Sequence, residues 1–537
     1  MPHDILTEIC AKRNDDIKKS GFTFGAAVPE KRLRPITPFL KEKGAILEIK
    51  RASPSKGIIN KDLDAFKTAT LYAKKGARAI SVLTEKNYFH GSLNDLLEAT
   101  KAVDEYNATH LEKPVAVLRK DFLSSEEEVE VSYKCGADAV LLIARILTKE
   151  KLISMTKKCA ELGITAFIEV RLEEDVAKFI EALRLYPTSV AAGVNARNLS
   201  DFSIDSLYPA GMLKHLRDEI KNISKEDNSL NVDNLRVVYE SGIMTPQAAG
   251  MVGHLGFNGM LLGEGAVRNP ENIEKLTSSF TCNSKSQNGD FWIKYGSELQ
   301  ERNAKGYFPF IKVCGITQVE DAVEAAKLGA DFIGFIFSTN SKRNVSPFFV
   351  RKVYKSIQQT AGDSWKKPQL VGVITDPSSQ EAKDAFSLVR CGILDVIQFH
   401  GCKIIPPADF TYRDIPRYAA VKIGSDEDIE TLKKEFLNGE PRVLIDAKVK
   451  GKDGGTGVNI DSALVSKVKE TTKLWLAGGV SEENISTFLT NYRPELIDVA
   501  SRIEDTTPSA PAGKKNISKL KKLFTVFNET INEINRK

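Results

Sequence analysis

Short runs of aliphatic and β-branched residues alternate with amphipathic stretches along nearly the whole chain. In the run Ile46-Leu47-Glu48-Ile49-Lys50, side chains that point alternately to two faces place Leu47 and Ile49 on one side and Glu48 and Lys50 on the other. Runs of this kind predict strands at 45–50, 79–84, 114–120, 139–144, 165–170, 191–196, 236–241 and 259–264. Between them lie helical patterns such as 62–77, 92–106, 149–162 and 173–186. Eight strand–helix units over some 240 residues match the size of a (β/α)8 barrel. The forty or so residues ahead of the first strand read as helical additions that cover it.

Residues 281–308 break the pattern: they are polar, hold no strand, and read as a linker. The alternation resumes with strands predicted at 310–315, 332–337, 369–375, 395–400, 417–424, 442–447, 473–478 and 495–501, and a last helix at 518–533. A single open sheet of sixteen strands is a poor alternative, because open sheets rarely exceed about ten. The expected fold is therefore α/β, two (β/α)8 TIM barrels in tandem, with domains 1–280 (including the N-terminal extension) and 309–537 on either side of the linker.

Composition narrows the class. With 42% hydrophobic and 27% charged residues the chain has ample apolar surface to bury as a globular protein. A net charge of +5 is small for 537 residues, and the basic stretch Lys514, Lys515, Lys519, Lys521 and Lys522 reads as one solvated helix face, so no nucleic-acid partner is expected. Seven scattered cysteines without a CxxC argue against a disulfide framework or a structural zinc. The first thirty residues carry charges where a signal peptide needs an apolar segment, and no run approaches membrane-spanning length. A cytoplasmic protein, without membrane contact, is expected.

In such barrels the active site is built at the carboxyl ends of the strands. In the first half those ends carry Glu48 and Lys50, Thr84-Glu85, Lys120, Arg145, Glu169, Asn195 with Arg197, Glu240-Ser241 and Gly263-Glu264. Any one of these could be structural, and Glu48 with Lys50 could be a plain internal ion pair. Together they form a convergent set of acids, cations and amides. The segments "EIKRASPSKG", "ISVLTE…FHGS", "VLRKDF", "FIEV", "GVNARNL", "YESGI" and "LLGEG" resemble, in order, the motifs of indole-3-glycerol-phosphate synthase. The resemblance implies a lyase that closes the ring of 1-(2-carboxyphenylamino)-1-deoxyribulose 5-phosphate with loss of carbon dioxide and water. It makes Lys120 the acid that protonates the carbonyl, with burial expected to lower its pKa. It makes Lys50 a second cation, placed by Glu48, and Glu169 the carboxylate that stabilises the cationic intermediate and takes a proton. Ser53, Asn195, Arg197 and Glu240 are then substrate-binding, and the backbone of Ser241, Gly242 and Gly263 holds phosphate. Two features depart from the pattern: Glu264 brings an acid to the phosphate loop, and 221–234 is a polar insert.

In the second half "FIKVCGIT" sets Cys314 at a strand end, where a small apolar core role is the ordinary reading. Arg343, His400 and Asp446 stand at other ends, followed by the glycine-containing loops "GGTG" (454–457), "AGGVS" (477–481) and "DVAS" (498–501). The set resembles phosphoribosylanthranilate isomerase, and the order of halves is that of the fused enzyme. The implied reaction is an Amadori rearrangement with Asp446 as a protonated acid and Cys314 as the base. Arg343 would grip the anthranilate carboxylate, with His400, Gly455, Gly478, Gly479 and Ser501 completing the substrate site. Arg502 stands where the family commonly has Gly, and "CKIIPPADFTYR" after His400 is a poor helix.

The rival readings are a Schiff-base aldolase on Lys120, a histidine-pathway sugar isomerase in the second half, and a barrel scaffold without activity. The expected partners are small phosphorylated anthranilates, with no metal or other cofactor, and the expected state is a monomer.

Overall fold

The computed structural model describes residues 5–54, 56–198, 203–225, 230–361, 365–402, 415–447 and 461–537. The chain divides into two compact units, Met1–Lys285 and Ser286–Lys537.

In the first unit eight parallel strands close a barrel: β1 (Gly44–Ile49), β2 (Ala77–Leu83), β3 (Ala116–Lys120), β4 (Ala139–Ile143), β5 (Thr165–Val170), β6 (Val190–Asn195), β7 (Val237–Glu240) and β8 (Gly259–Leu262). Leu47 of β1 sits opposite Ile80 of β2 on one side and Leu262 of β8 on the other, so the ladder has no edge. Every residue of β1, β4, β5 and β6 is buried, because one face fills the barrel and the other lies under helices. Local capping sets where helices begin. Asp64, Ser92, Thr148 and Thr245 accept from the backbone N–H of Lys67, Asp95, Lys151 and Ala248. The Asp64 cap starts its helix at Ala65 rather than at 62.

Among its described residues the N-terminal extension holds one helix rather than several, α1 (Ile5–Ser20), followed by turns and extended chain. α1 lies at the carboxyl ends of the strands. Arg13, 3% exposed, reaches Asp121 just past β3 with Nε 2.7 Å from Oδ1 and Nη2 3.1 Å from Oδ2, while Nη1 lies 2.5 Å from Glu128 Oε1. Thr84 and Arg119 also donate to Asp121 Oδ2, at 2.6 and 3.0 Å. Leu6 and Ile9 are buried beside this anchor, a gain of about 1.5–3 kcal/mol each. The chain then reaches the opposite end of the strands. There Arg32 and Arg34 share Asp138 ahead of β4 (2.5 and 2.6 Å), and Phe39 packs on Phe167 with centroids 5.7 Å apart.

The second unit repeats the architecture with β9 (Phe310–Cys314), β10 (Phe332–Phe337), β11 (Gln369–Ile374), β12 (Val396–His400), β13 (Arg417–Ile423), β14 (Val443–Ala447), β15 (Trp475–Leu476) and β16 (Leu496–Val499), closed by β16 on β9. The stretch expected to be a linker is instead a helix, α2 (Gln287–Lys305), packed into this unit. Nine of its residues are buried, among them Phe291, Trp292, Ile293, Tyr295 and Leu299, and they form a wide stripe at helical spacing. A reading of average polarity hides that stripe. Trp292 and Tyr295 pack on Trp475 (5.9 and 5.1 Å), Tyr295 stacks on Phe310 at 4.5 Å, and the Tyr295 hydroxyl donates to Glu495. Phe310 and Trp475 begin their strands, so α2 seals the end of the barrel opposite the carboxyl ends. The last helix, α3 (Ile517–Arg536), lies where expected. Most of "CKIIPPADFTYR" falls outside the described residues. In the predicted insert 221–234, the helix Tyr208–Ile223 ends and a 3-10 turn follows at Val232–Asn234. Among the described residues no helix is long and apolar enough to cross a membrane.

A fragment of residues 286–537 is expected to unfold cooperatively by calorimetry, whereas one of 307–537, stripped of α2, should aggregate or melt far lower. Equal melting of the two would make α2 dispensable. Arg13→Met leaves two buried carboxylates short of a partner and should cost the first unit about 3–5 kcal/mol. Amide exchange across residues 5–20 should accelerate with it, and unchanged exchange would mean that apolar packing alone holds α1.

Candidate active sites

At the mouth of the first barrel the ends of β1, β3 and β7 bring four of the predicted groups into one chain of charges, with Glu169 of β5 beside it. Lys50 Nζ lies 2.7 Å from Glu48 Oε1, and Lys120 Nζ lies 3.2 Å from Glu48 Oε2. Lys120 also donates to Glu240 Oε2 at 3.0 Å. Burial opposes charge on Glu48, but Lys50 and Lys120 outweigh it and hold the carboxyl down at about 2. Burial likewise works against the Lys120 ammonium, yet Glu240, Glu48 and Glu169 together push its pKa above the ordinary lysine value. The expectation that burial would lower it is therefore reversed, because the lysine is enclosed by carboxylates rather than by apolar strands alone. Glu169 goes the other way. Burial and the neighbouring Glu240 drive it above the carboxylate range, against the pull of Lys120.

These groups open on a cavity of about 390 Å³ lined also by Ser53, Asn195, Arg197, Ser241, Gly242 and Gly263. Ser53 is carried there by a small hairpin in which it pairs with Gly57. Glu240 lies beneath the cavity, fully buried. The chain leaves β7 through Ser241 and Gly242, both left-handed at φ 73° and 80°, a strained conformation for serine of the kind that gathers at functional loops. Gly263 has a packing reason as well. A β-carbon there would stand 2.5 Å from Glu48 Oε1 and 2.6 Å from Lys50 Nζ, so the ion pair needs the missing side chain. Glu264 is neutralised locally, 2.8 Å from Arg268 and 3.9 Å from Lys56. Glu85 is structural, accepting the backbone N–H of Asn87, Tyr88 and Phe89, and Arg145 is exposed away from the cavity. Sequence reading missed the apolar cover from Leu6, Ile9, Phe89 and Phe122, and the cation Lys56 on the first loop. The helical spacing of Leu6 and Ile9 is visible in sequence, but not the surface it covers.

The second mouth encloses about 770 Å³ lined by Cys314, Arg343, His400, Asp446, Gly478, Gly479 and Ser501. Gly455 lies outside the described residues. Cys314 is buried at the end of β9, and burial raises its thiol although Lys312 opposes the shift. Burial also raises Asp446, to about 6, against the N–H of Ala447, which donates to Oδ1 at 2.8 Å. Gly478, at φ 96°, turns the chain so tightly that a β-carbon would touch Asp446 Oδ1 and Ala447 N at 3.0 Å. His400 Nε2 faces Asp446 Oδ2 at 3.5 Å. Arg343 does not present an open fork. Its Nε and Nη2 hold Glu504 at 2.6 and 3.3 Å, and Lys515 shares the same carboxylate at 3.3 Å. Arg502 is exposed and lines the cavity. Reading strand ends alone overlooked Lys312, Gln398 and Asp498, which lie one layer deeper in β9, β12 and β16, and Glu504, which follows β16. Lys515, expected on a solvated helix face, is instead buried ahead of α3 because it pairs with Glu504.

Comparison with known proteins assigns each mouth. Residues 31–278 match the family model of indole-3-glycerol phosphate synthase, and residues 311–526 that of N-(5'phosphoribosyl)anthranilate (PRA) isomerase. An indole-3-glycerol phosphate synthase of Rippkaea orientalis is 33% identical over 47% of this chain and 78% of its own length. The tryptophan biosynthesis protein TrpCF of Vibrio parahaemolyticus is 28% identical over 89% of this chain and 83% of its own. The multifunctional tryptophan biosynthesis protein of Schizosaccharomyces pombe is 29% identical over 98% of this chain, which spans 66% of that longer protein. The chain therefore belongs to the indole-3-glycerol phosphate synthase family through its first barrel, and joins to it in tandem a barrel of the phosphoribosylanthranilate isomerase family.

Proposed function

We propose that the second barrel rearranges N-(5′-phosphoribosyl)anthranilate to 1-(2-carboxyphenylamino)-1-deoxyribulose 5-phosphate, and that the first decarboxylates and cyclises this product to indole-3-glycerol phosphate. The observation that carries the reading is the split of carboxyl environments. In the first mouth burial raises Glu169 beside Lys120, which Glu240 and Glu48 keep charged, and in the second burial raises Asp446 and Asp498 around Lys312, which Asp498 keeps charged. The purified chain, given phosphoribosylanthranilate, should form indoleglycerol phosphate. Accumulation of the rearranged intermediate alone would remove the first assignment.

In the first mouth Lys120 donates to the substrate carbonyl as the anilino ring attacks it. Lys120 thereby passes a proton to that oxygen, which becomes the hydroxyl, and is reprotonated from solvent; its raised pKa keeps it cationic before the step. Lys50, oriented by Glu48, holds the substrate carboxylate until carbon dioxide leaves. Glu169 enters the cycle protonated. It gives that proton to the hydroxyl that departs as water, and the carboxylate left behind takes the ring proton as the indole aromatises. Asn195 and Arg197 hold the substrate, and the left-handed turn at Ser241-Gly242 offers backbone N–H groups to phosphate. An aldolase would need Lys120 as a neutral amine, which the paired Glu240 and Glu48 carboxylates oppose.

In the second mouth Asp446 protonates the ribose ring oxygen and Cys314 takes the proton from the adjacent carbon. Arg343 exchanges Glu504 for the substrate carboxylate, which matches its fork equally well. A histidine-pathway isomerase would have an aspartate where this chain has Cys314.

Glu169→Gln and Lys120→Met should each lower ring closure by about 10²–10⁴-fold and leave isomerisation intact. Cys314→Ala and Asp446→Asn should do the reverse, and near-normal turnover in Cys314→Ala would return the thiol to the core. A pH profile follows from the shifts. With Asp446 at about 6 and the thiol above its usual ~8.5, the form with acid protonated and base ionised is a minority at every pH. Below about pH 6 the acid is already saturated with protons, so further acidification only removes thiolate. Between the two pKa values the gain of thiolate cancels the loss of acid. The isomerase kcat/KM should therefore rise up to about pH 6 and stay level to the thiol's pKa. A steady tenfold fall per pH unit from about 6 to 8 would contradict these roles.

A further inference from the structure

Beneath the second mouth lies a buried polar group that the proposed chemistry does not use. Lys312 is 0% exposed, on the same face of β9 as Cys314 two residues on. Its ammonium donates to Asp498 Oδ2 and to Gln398 Oε1, both at 2.6 Å. Burial disfavours that charge, but Asp498 more than restores it, so Lys312 stays protonated. A protonated lysine has donors only. The Gln398 atom facing it must then be the carbonyl oxygen, which also accepts from the Tyr418 hydroxyl at 2.9 Å. That leaves the Gln398 amide nitrogen for its other neighbour, His400 Nδ1, at 2.9 Å. An amide nitrogen only donates, so Nδ1 must accept and carries no proton in the neutral ring. The ring proton then belongs on Nε2, the atom that faces Asp446 Oδ2 at 3.5 Å in the cavity wall.

We propose that Lys312, with Tyr418, is a positioning residue that pins the Gln398 carboxamide and thereby fixes His400 as the Nε2–H tautomer, presenting a donor rather than a lone pair to Asp446 and to the oxygen-rich substrate. Neither Lys312 nor Gln398 needs to touch the substrate. They act through His400, and the chain Lys312–Gln398–His400–Asp446 runs across the barrel from β9 through β12 to β14. A reversed carboxamide would set an N–H against an ammonium and leave His400 free to expose its lone pair.

Only the kinetic arm of the test rests on the isomerase reading. Uniform ¹⁵N labelling of the six histidines of the full chain, with His400→Gln used to assign the ring, gives the tautomer from long-range ¹H–¹⁵N correlations at about pH 8, where an ordinary histidine is neutral. The wild type should show Nε2 protonated and Nδ1 bare. Gln398→Leu should give a mixture, with isomerisation kcat about tenfold lower, the order of one lost hydrogen bond, and ring closure unchanged. Lys312→Met strands the Asp498 carboxylate and can unfold the barrel, so Gln398→Leu is the deciding variant, and the wild-type spectrum is decisive without either. A wild-type ring protonated on Nδ1, or a pure Nε2–H ring in folded Gln398→Leu, overturns the inference. The expected tautomers in a chain with no isomerase activity would uphold it and sink the functional reading instead.

Discussion

Each barrel is organised around a lysine that cannot be buried alone. Lys120 ends β3 and Lys312 lies inside β9, and each has its ammonium within 3.2 Å of a carboxylate supplied by another strand. An isolated ion taken out of water costs several kcal/mol even after relaxation, so these lysines stay charged only while the barrel holds Glu48, Glu240 or Asp498 in place. The closed ladder does that, because it leaves no strand free to slide. The pairs add little net stability, but they place cations at fixed points under each mouth.

The remaining electrostatics follow from those cations. Glu48, flanked by two ammonium groups, is held far down the carboxylate range. Glu169 and Asp446 have burial and carboxylate neighbours against them and are pushed up. Carboxyl groups that are alike in sequence thus arrive at widely separated pKa values, Glu48 lowered and Glu169 and Asp446 raised. Glycines make the geometry possible: Gly263 and Gly478 each leave the volume of a β-carbon to a charged group, the Glu48–Lys50 pair in one barrel and Asp446 in the other.

The ends of the barrels opposite the sites are plugged by aromatic side chains, Phe39 in the first unit and Trp292 and Tyr295 of α2 in the second, beside the buried ion pairs of Arg32 and Arg34 with Asp138 and of Arg442 with Glu495. This division keeps the demands apart. Aromatic packing closes the end where no chemistry occurs, and the polar groups with shifted pKa values that the reactions would use lie at the other. At the mouth of the first barrel a buried ion pair, Arg13 with Asp121, likewise fastens the apolar cover of α1 to the residue next to Lys120.

Strand and helix order, two barrels, and the strand-end residues of both mouths were legible in the amino-acid sequence, because alternation and helical spacing are local properties and a parallel barrel puts its chemistry at predictable chain positions. The stretch 281–308 misled because its average is polar while its buried residues recur at helical spacing, and whether such a stripe is a helix in a core depends on a surface elsewhere, here Trp475 and Phe310. Charge states were beyond sequence for the same reason. Lys120 was expected to be lowered by burial, but its pKa depends on Glu48 and Glu240, 72 residues before and 120 after it. Likewise, the occupation of Arg343 by Glu504 joins residues 161 apart. Sequence determined which groups reach each mouth. Only the tertiary structure decided which of them hold a proton and which partner each one faces, because those depend on distances between residues that the chain does not place next to one another.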